Sequence, residues 1–262
     1  MSRPAQPARR LDRMSTGTVR TRAGTWRARR PVDLALQASL WFSFVFGYQL
    51  VQAGAGHNRS QALANGLRVA DAEKDLVHRL LELPLGELAR DSRVVNALAG
   101  LTYWSAEFVV VALALLWVYL RRARAFGRLR NTLIVTNVVA LAFFYFFPTA
   151  PPRTFSSLGF VDRSGALGHG LLPLPSNQYA AMPSLHSADA LIIGVGLALL
   201  VRSRPAKVFW LLWPLLVWLS VLATANHFWL DVVGGIAVAG IGALVVSPRF
   251  ARAVPQLLGR RP

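Results

Sequence analysis

The chain has no cysteine among its 262 residues. This absence excludes disulfide bonds, thiolate nucleophiles and cysteine-ligated metal sites. Acidic residues are also scarce, with 12 Asp and Glu against 29 Lys and Arg, which gives a formal net charge of +17 at pH 7. The few carboxylates show no spacing that would gather several of them onto one ion. The sequence therefore predicts neither a metal site nor a cofactor.

Charged residues of either sign make up only 16% of the chain, whereas hydrophobic residues make up 54%. This balance indicates a membrane protein rather than a cytosolic one. A helix needs about 20 apolar residues to cross a bilayer. The six segments predicted to do so are residues 33–53, 101–120, 131–148, 188–201, 208–224 and 230–247. The predicted fold is therefore all-α, an integral membrane bundle of six transmembrane helices.

Basic residues divide the loops between these spans into two sides. Arginine and lysine cluster at 121–130, 202–207 and 249–261, and nine arginines lie within residues 1–30. The positive-inside rule assigns these segments, and with them both termini, to the cytoplasm. The acidic residues and the candidate site residues then face the opposite side. We expect a multi-pass plasma-membrane protein whose site opens to the extracytoplasmic face.

Three segments are predicted along the chain: a basic, disordered cytoplasmic tail (1–31), a six-helix membrane domain (32–248) and a basic C-terminal tail (249–262). The positive charge is interpreted as a topology signal rather than as nucleic-acid binding, with contact to anionic lipid as the alternative. Small residues near 51–55 are compatible with a second interpretation, in which the first apolar run is a signal peptide that is cleaved. The apolar run before them is longer than an ordinary signal sequence, so we expect a retained anchor.

Two outer segments connect the spans on the predicted extracytoplasmic side. Residues 56–100 alternate leucine or valine with charged residues, which predicts an amphipathic surface helix that Pro84 ends or kinks. This helix is either a brace over the bundle or a substrate gate. Residues 149–187 are rich in proline and glycine, and are predicted to form an irregular loop that roofs the site.

Small residues recur at four-residue spacing in two of the predicted spans. They are Ala190, Gly194 and Ala198 in the fourth span, and Gly235 and Ala239 in the sixth. In lipid, such a pattern allows helix backbones to approach closely. Each of these two spans is therefore expected to approach a neighbouring helix closely.

Two short motifs carry the chemistry. Residues 182–186 (Met-Pro-Ser-Leu-His) precede one apolar run, and residues 227–231 (His-Phe-Trp-Leu-Asp) precede another. On a helix, His227 and Asp231 share a face within contact range. A carboxylate beside an imidazole holds its tautomer and raises its basicity, which suits a nucleophile, and His186 can supply a proton to a leaving group. At a membrane surface, this set indicates phosphoryl transfer on a lipid.

These motifs resemble those of the type 2 phosphatidic acid phosphatase superfamily, over roughly residues 95–248. That superfamily carries the blocks Lys-x6-Arg-Pro, Pro-Ser-Gly-His and Ser-Arg-x5-His-x3-Asp. The wider stretches at 177–186 and 225–231 look most like the branch that includes inositol phosphorylceramide synthases. The resemblance implies that His227 forms a phosphohistidine, that Asp231 orients it, that His186 is the general acid and that Arg153 binds phosphate, without a metal.

Three positions depart from those blocks. Phe146 stands seven residues before Arg153 in place of lysine, Leu185 replaces glycine, and Val221 replaces the arginine of the third block. A pocket without those two cations is unlike that of vanadium haloperoxidases, relatives that hold a bare oxyanion with them. Arg153 and the amides of the helix that begins near Ser184 are left to hold the phosphate.

Five further residues are candidates for the pocket or its surroundings. Ser184 is predicted to cap its helix and to contact phosphate. Tyr179 and Asn226 flank the motifs and are candidate pocket residues. Glu107 and Asp189 are acids inside predicted spans, where ionisable residues are functional candidates by default. A structural ion pair is the alternative for these two acids.

Three functions remain open from the sequence. The first is hydrolysis of a membrane lipid phosphate or diphosphate. The second is transfer of a phospho-headgroup, such as phosphoinositol, to an acceptor alcohol. The third is a non-enzymatic transporter or scaffold, although a transporter should place polar groups near the midplane rather than at one face. The expected partners are the bilayer, a lipid phosphate and, for the second function, the alcohol, with no nucleic acid.

Overall fold

The computed structural model describes residues 58–162 and 178–248, together with three isolated helical positions at 37, 39 and 47. Apart from those positions, the first predicted span (33–53) lies outside the described residues. Both tails and residues 163–177 of the predicted roofing loop also lie outside them. The chain divides into two compact units, Met1–Ser43 and Phe44–Pro262, and every element named below belongs to the second.

Within the described residues the regular structure is helical, apart from one isolated parallel bridge between Thr149 and Ala180. The α-helices are α1 (Arg59–Val77), α2 (Glu82–Asp91), α3 (Arg93–Ser105), α4 (Val111–Arg121), α5 (Ala123–Phe146), α6 (Leu185–Leu200), α7 (Arg204–Ala223) and α8 (Trp229–Val245). A π-helical turn, Ala106–Val110, joins α3 to α4. The described part of the chain thus agrees with the predicted all-α class.

Each predicted span within the described ranges coincides with a helix. Three of these helices are long and apolar enough to cross a membrane: Arg93–Arg121, Ala123–Phe146 and Arg204–Ala223. The other two, α6 and α8, are apolar but shorter. The six-span topology and the cytoplasmic placement of both termini therefore stay predictions.

The surface segment before α3 differs from its prediction. Helix α1 ends at Val77, where His78 adopts a left-handed conformation with φ of 59°. Pro84 neither ends nor kinks this helix, because it lies in the first turn of α2, where a missing N–H breaks no helical hydrogen bond. Burial is also the reverse of the expected amphipathic pattern at two positions: Leu76 is 63% exposed, whereas Glu73 is completely buried.

Glycines allow α6, α7 and α8 to pack closely, as the small-residue spacing predicted. A methyl group added at Gly194 of α6 would lie 2.6 Å from the Trp210 carbonyl oxygen of α7. One added at Gly235 of α8 would overlap the carbonyl oxygen of Ser184. The close approach predicted at Gly194 and Gly235 is confirmed, and it brings the start of α8 against the start of α6.

The two basic segments within the described residues, 121–130 and 202–207, lie at one end of the helices. Arg122, between α4 and α5, donates from Nε to the carbonyl oxygen of Leu200 at the end of α6, over 3.2 Å. The opposite helix ends are the C-termini of α5 and α7 and the N-termini of α6 and α8. These are the ends that carry the candidate site residues.

Candidate active site

His227 lies in the short connection between α7 and α8. The amides of Asn226 and His227 both donate to the carbonyl oxygen of Val221, over 3.1 and 3.3 Å, which folds the chain back across the end of α7. Ala225 adopts a left-handed backbone conformation there, with φ of 52°. Strained backbone of this kind concentrates at functional sites. As a result, the His227 side chain is only 7% exposed.

The ring of His227 is oriented by a backbone carbonyl. Its Nδ1 lies 2.9 Å from the carbonyl oxygen of Ala181. A carbonyl oxygen only accepts hydrogen bonds, so Nδ1 must carry the proton in the neutral ring. The lone pair of the neutral imidazole is then on Nε2. This is the tautomer that a nitrogen nucleophile needs.

Asp231 lies beside His227, but its side chain accepts a hydrogen bond from the backbone rather than from the imidazole ring. Its Oδ2 lies 3.5 Å from His227 Nδ1 and accepts the amide proton of Phe228 over 2.8 Å. Its backbone carbonyl accepts from the amide of Ser184 over 2.9 Å. Asp231 therefore caps α8, ties it to α6 and places a negative charge beside the imidazole ring.

Ser184 is the N-cap residue of α6, as predicted. Its hydroxyl oxygen accepts the amide of Ser187 over 3.3 Å and the hydroxyl proton of Ser187 over 2.9 Å. The next residue but one is His186, in the first turn of the helix. The ring centroids of His186 and His227 are 5.8 Å apart. The two histidines of the motifs therefore meet, one from each helix start.

Two residues that precede α4 hold the ring of His186. Tyr103 stacks on it, with ring centroids 4.2 Å apart and planes inclined by 15°. Glu107 Oε2 lies 3.2 Å from His186 Nε2. Glu107 belongs to the π-helical turn, and such turns are frequent at functional sites. Of the two intramembrane acids, the structure thus brings Glu107 to the site.

Arg153 lies on the other side of the connection that carries His227. Its amide donates to the carbonyl oxygen of Ala225 over 3.0 Å, and its Nη1 donates to Asn226 Oδ1. Asn226 in turn donates from Nδ2 to the hydroxyl oxygen of Thr224 over 2.8 Å. Asn226 directly precedes His227 in the chain, and its hydrogen bond orients the Arg153 guanidinium toward this connection.

The remaining two candidates, Asp189 and Tyr179, make contacts with residues other than the two histidines. Asp189 is buried and accepts from Asn137 Nδ2 over 3.1 Å, which ties α6 to α5. Tyr179 packs on an apolar cluster that includes Phe155 and Phe228, and its carbonyl oxygen accepts the amide of Thr149 over 2.7 Å. Neither contact joins these residues to His227 or to His186.

Sequence patterns gave no signal for several residues that shape the site. The carbonyl of Ala181 is a backbone group, and every residue has one. Tyr103 could have been suspected only as an aromatic residue one turn before an intramembrane acid. Glu73 and Glu82 looked like the solvent face of a surface helix, but both reach the first turn of α8.

The arrangement suits phosphoryl transfer by general chemistry. An imidazole with a free Nε2 can attack phosphorus, a second imidazole beside a carboxyl group can move a proton, and a guanidinium can hold equatorial oxygens. Across residues 58–162 and 178–248, no three His, Asp or Glu side chains converge as metal ligands would.

Comparison with known proteins gives a family. A family model described as the PAP2 superfamily matches residues 69–245, more than half of the chain. No curated protein matches the chain. The crystal structure of Aquifex aeolicus LpxE is similar, with 18% sequence identity and a TM-score of 0.46, over 64% of this chain and 98% of that one. On the family match, which begins within α1 and takes in both motifs, the chain belongs to the PAP2 superfamily.

Proposed function

We propose that this protein is an integral membrane phosphatase that hydrolyses a lipid phosphate or diphosphate through a phosphohistidine at His227. The observation that carries the proposal is the orientation of the His227 ring. Its Nδ1 is engaged by the Ala181 carbonyl and faces Asp231, so Nε2 holds the lone pair. Membership in the PAP2 superfamily supports a membrane phosphatase as the class of enzyme.

In the first step, Nε2 of His227 attacks phosphorus, and the bond from phosphorus to the lipid oxygen breaks. The ring acquires positive charge as the P–N bond forms. Asp231 Oδ2, 3.5 Å from Nδ1, stabilises that charge without becoming protonated. The Ala181 carbonyl retains the Nδ1 proton throughout.

The departing lipid oxygen needs a proton as it leaves. His186 donates this proton, and Glu107, 3.2 Å from His186 Nε2, replaces it. Stacking on Tyr103 holds the His186 ring in one orientation for this transfer. In the second step, water attacks phosphorus, the P–N bond breaks, and the proton released by water returns to the His186–Glu107 pair.

Charge on the transferred group is balanced by Arg153 and by the N-terminus of α6. Asn226 holds Arg153 beside His227, and the Ser184 cap begins a helix whose first amides point toward the same region. These groups replace part of what the missing lysine and arginine supply elsewhere in the superfamily. The catalytic machinery requires no metal ion.

Transfer to an alcohol shares the first step with hydrolysis, so it remains the alternative outcome. The similarity to the inositol phosphorylceramide synthase branch belongs to the same proposal. Hydrolysis is preferred because water alone completes the cycle. A transporter or scaffold is disfavoured, because the polar side chains gather at one end of the helices.

The test is a trapping experiment on the purified protein in lipid nanodiscs. The protein is mixed with ³²P-labelled lipid phosphates and diphosphates, quenched within milliseconds and separated under denaturing conditions. Label that is stable to base and labile to acid is expected on the wild type and absent from His227→Gln. Steady-state release of phosphate should fall about 10³-fold or more in that variant. EDTA should leave the wild-type rate unchanged.

Adding methanol or inositol separates hydrolysis from transfer. A phosphatase yields inorganic phosphate with either addition, and methanol traps part of the intermediate as methyl phosphate at an unchanged rate of lipid breakdown. Inositol phosphate as the main product would replace hydrolysis by transfer. Turnover that survives in His227→Gln would remove the phosphohistidine mechanism.

A further inference from the structure

The first turn of α8, immediately after His227, is held by carboxyl groups from two distant helices. The amide of Trp229 donates to Glu82 Oε1 over 2.7 Å, and the amide of Leu230 donates to Glu73 Oε1 over 2.8 Å. The amide of Phe228 donates to Asp231 Oδ2 over 2.8 Å. Helix N-termini leave such amides without partners inside the helix. Here three consecutive amides are each satisfied by a carboxyl oxygen.

The two glutamates are unusual for the helices that carry them. Glu73 of α1 and Glu82 of α2 are completely buried, whereas Asp71 and Asp75 on α1 are exposed. Removing a carboxyl group from water is costly unless it gains strong partners. The gain here is a hydrogen bond to the start of α8, helped by the favourable end of its dipole.

Three carboxyl groups in one buried place repel each other if all are ionised. Burial, and then the neighbouring charge of Glu82, raises the pKa of Glu73 to about 9. Burial also raises the pKa of Glu82. The charged groups that face Glu73 are Glu82 of α2 and Asp231 of α8. At pH 7, Glu73 is therefore neutral and still offers a carbonyl oxygen to Leu230.

We propose that Glu73 and Glu82 are positioning residues for catalysis, which lock the first turn of α8, and with it His227 and Asp231, against the surface layer formed by α1 and α2. This inference rests on the proposed function of His227. It gives the surface helices a role as a brace that acts on the nucleophile. Their contact with α8 is made by the two carboxyl groups rather than by an apolar face alone.

The test separates two properties of the glutamate side chains, the oxygen that accepts a hydrogen bond and the ability to ionise. Glu73→Leu and Glu82→Leu remove the acceptor, whereas Glu73→Gln keeps it. Asp75→Leu, on the exposed face of α1, is the matched control. Each protein is purified in nanodiscs and assayed for kcat and KM from pH 6 to 10. Hydrogen exchange of a peptide spanning residues 226–235 reports on the amides of Trp229 and Leu230.

Both leucine variants should lose kcat by about 10- to 100-fold, because a displacement of about 1 Å at a reacting group has that effect. KM should change by less than about twofold, since neither glutamate touches substrate in this scheme. Exchange of the 226–235 peptide should accelerate in both variants. Glu73→Gln should retain wild-type kcat at pH 7, and Asp75→Leu should match the wild type in every measurement.

The raised pKa of Glu73 also predicts that stability and activity are lost at alkaline pH. The folded protein binds this proton more tightly than the unfolded chain, so the stabilisation is complete below about pH 4.5 and is lost as pH rises through about 9. Wild-type activity should fall over that alkaline range. Glu73→Gln cannot ionise and should keep its activity there.

Unchanged kcat and unchanged exchange in the leucine variants would overturn the inference, as would a Glu73→Gln variant as impaired as Glu73→Leu at pH 7. If the leucine variants do not fold, the alkaline profile of Glu73→Gln decides: a profile identical to the wild type overturns the proposal. An inactive His227→Gln beside fully active Glu73→Leu would reject only the positioning role. An active His227→Gln would instead reject the proposed function itself.

Discussion

At His227, a backbone carbonyl decides which ring nitrogen can react. Because the Ala181 carbonyl holds the Nδ1 proton, Asp231 is not needed to select the tautomer. Its carboxylate has two other tasks, which are to accept the Phe228 amide and to place a negative charge 3.5 Å from the ring. These tasks can be separated by substitution.

Asp231→Asn should lower kcat by about 10- to 100-fold, because it removes the charge worth about 1.5–3 kcal/mol to the cationic ring while keeping an oxygen for Phe228. Asp231→Ala removes the cap as well, so it should also lower the free energy of unfolding by about 1 kcal/mol. Single-turnover kinetics and thermal unfolding measure the two effects. Equal unfolding midpoints for both variants would contradict the division of tasks.

Among the residues proposed from the sequence, Glu107 gains most from the structure, because its carboxyl group contacts His186. If it resupplies the His186 proton, Glu107→Gln should slow lipid phosphate turnover by about 10²-fold, within the usual range for general acid–base catalysis. The loss should largely vanish with p-nitrophenyl phosphate, whose leaving group departs without a proton. Comparing kcat for the two substrates is the measurement, with the exposed Glu87→Gln as control. An equal loss on both substrates would indicate a structural role only.

At the scale of elements, the helices follow from their apolar runs, and the site follows from where those helices end. Residues 182–186 and 227–231 meet because Ser184 and Asp231 link the starts of α6 and α8. That convergence was expected from the position of each motif before an apolar run and from the resemblance of both motifs to blocks of the superfamily. Small residues predicted the close packing, since a missing side chain at Gly235 leaves room only for a backbone contact.

What the sequence could not predict depends on burial of polar groups. Charged residues on a surface helix ordinarily face water, so the pattern of α1 placed Glu73 outward and Leu76 inward. Tertiary contact with the start of α8 reversed that choice. Pro84 was interpreted as the end of the surface helix or as a kink in it, because proline disrupts a helix interior. The actual boundary at His78 is a left-handed cap on a residue without a strong turn signal.

Gly235 provides the element-scale prediction. Gly235→Ala would place a methyl group against the Ser184 carbonyl and 3.0 Å from Ser187 Cβ, so α6 and α8 must separate. Overpacking of this kind costs about 1–3 kcal/mol, and the separation should also remove most activity. Thermal unfolding and kcat are the measurements. Gly240→Ala on the same helix meets nothing within 4 Å and is the matched control. Equal behaviour of the two variants would contradict the packing account.

At the scale of the whole molecule, charge and chemistry are segregated to opposite helix ends. The Arg122 side chain donates a hydrogen bond to the last residue of α6. This contact joins the arginine-rich segment after α4 to the connection before α7. His186, His227 and Arg153 lie at the other ends of the same helices. If the positive-inside rule holds, this polarity places the phosphatase chemistry outside the cytoplasm.

Cysteine labelling tests that polarity directly, since the chain has no cysteine of its own. Ser157 is exposed close to Arg153, and Arg124 is exposed in the first turn of α5. Ser157→Cys should react with a membrane-impermeant maleimide in intact cells, and Arg124→Cys should react only after lysis. Retained phosphatase activity in both variants shows that the labelled protein is folded. The reverse pattern would place the site in the cytoplasm, and the substrate would then be sought among lipid phosphates of the inner leaflet. The expected pattern would require a substrate whose phosphate is displayed on the outer leaflet, because the site would then open to the extracytoplasmic side.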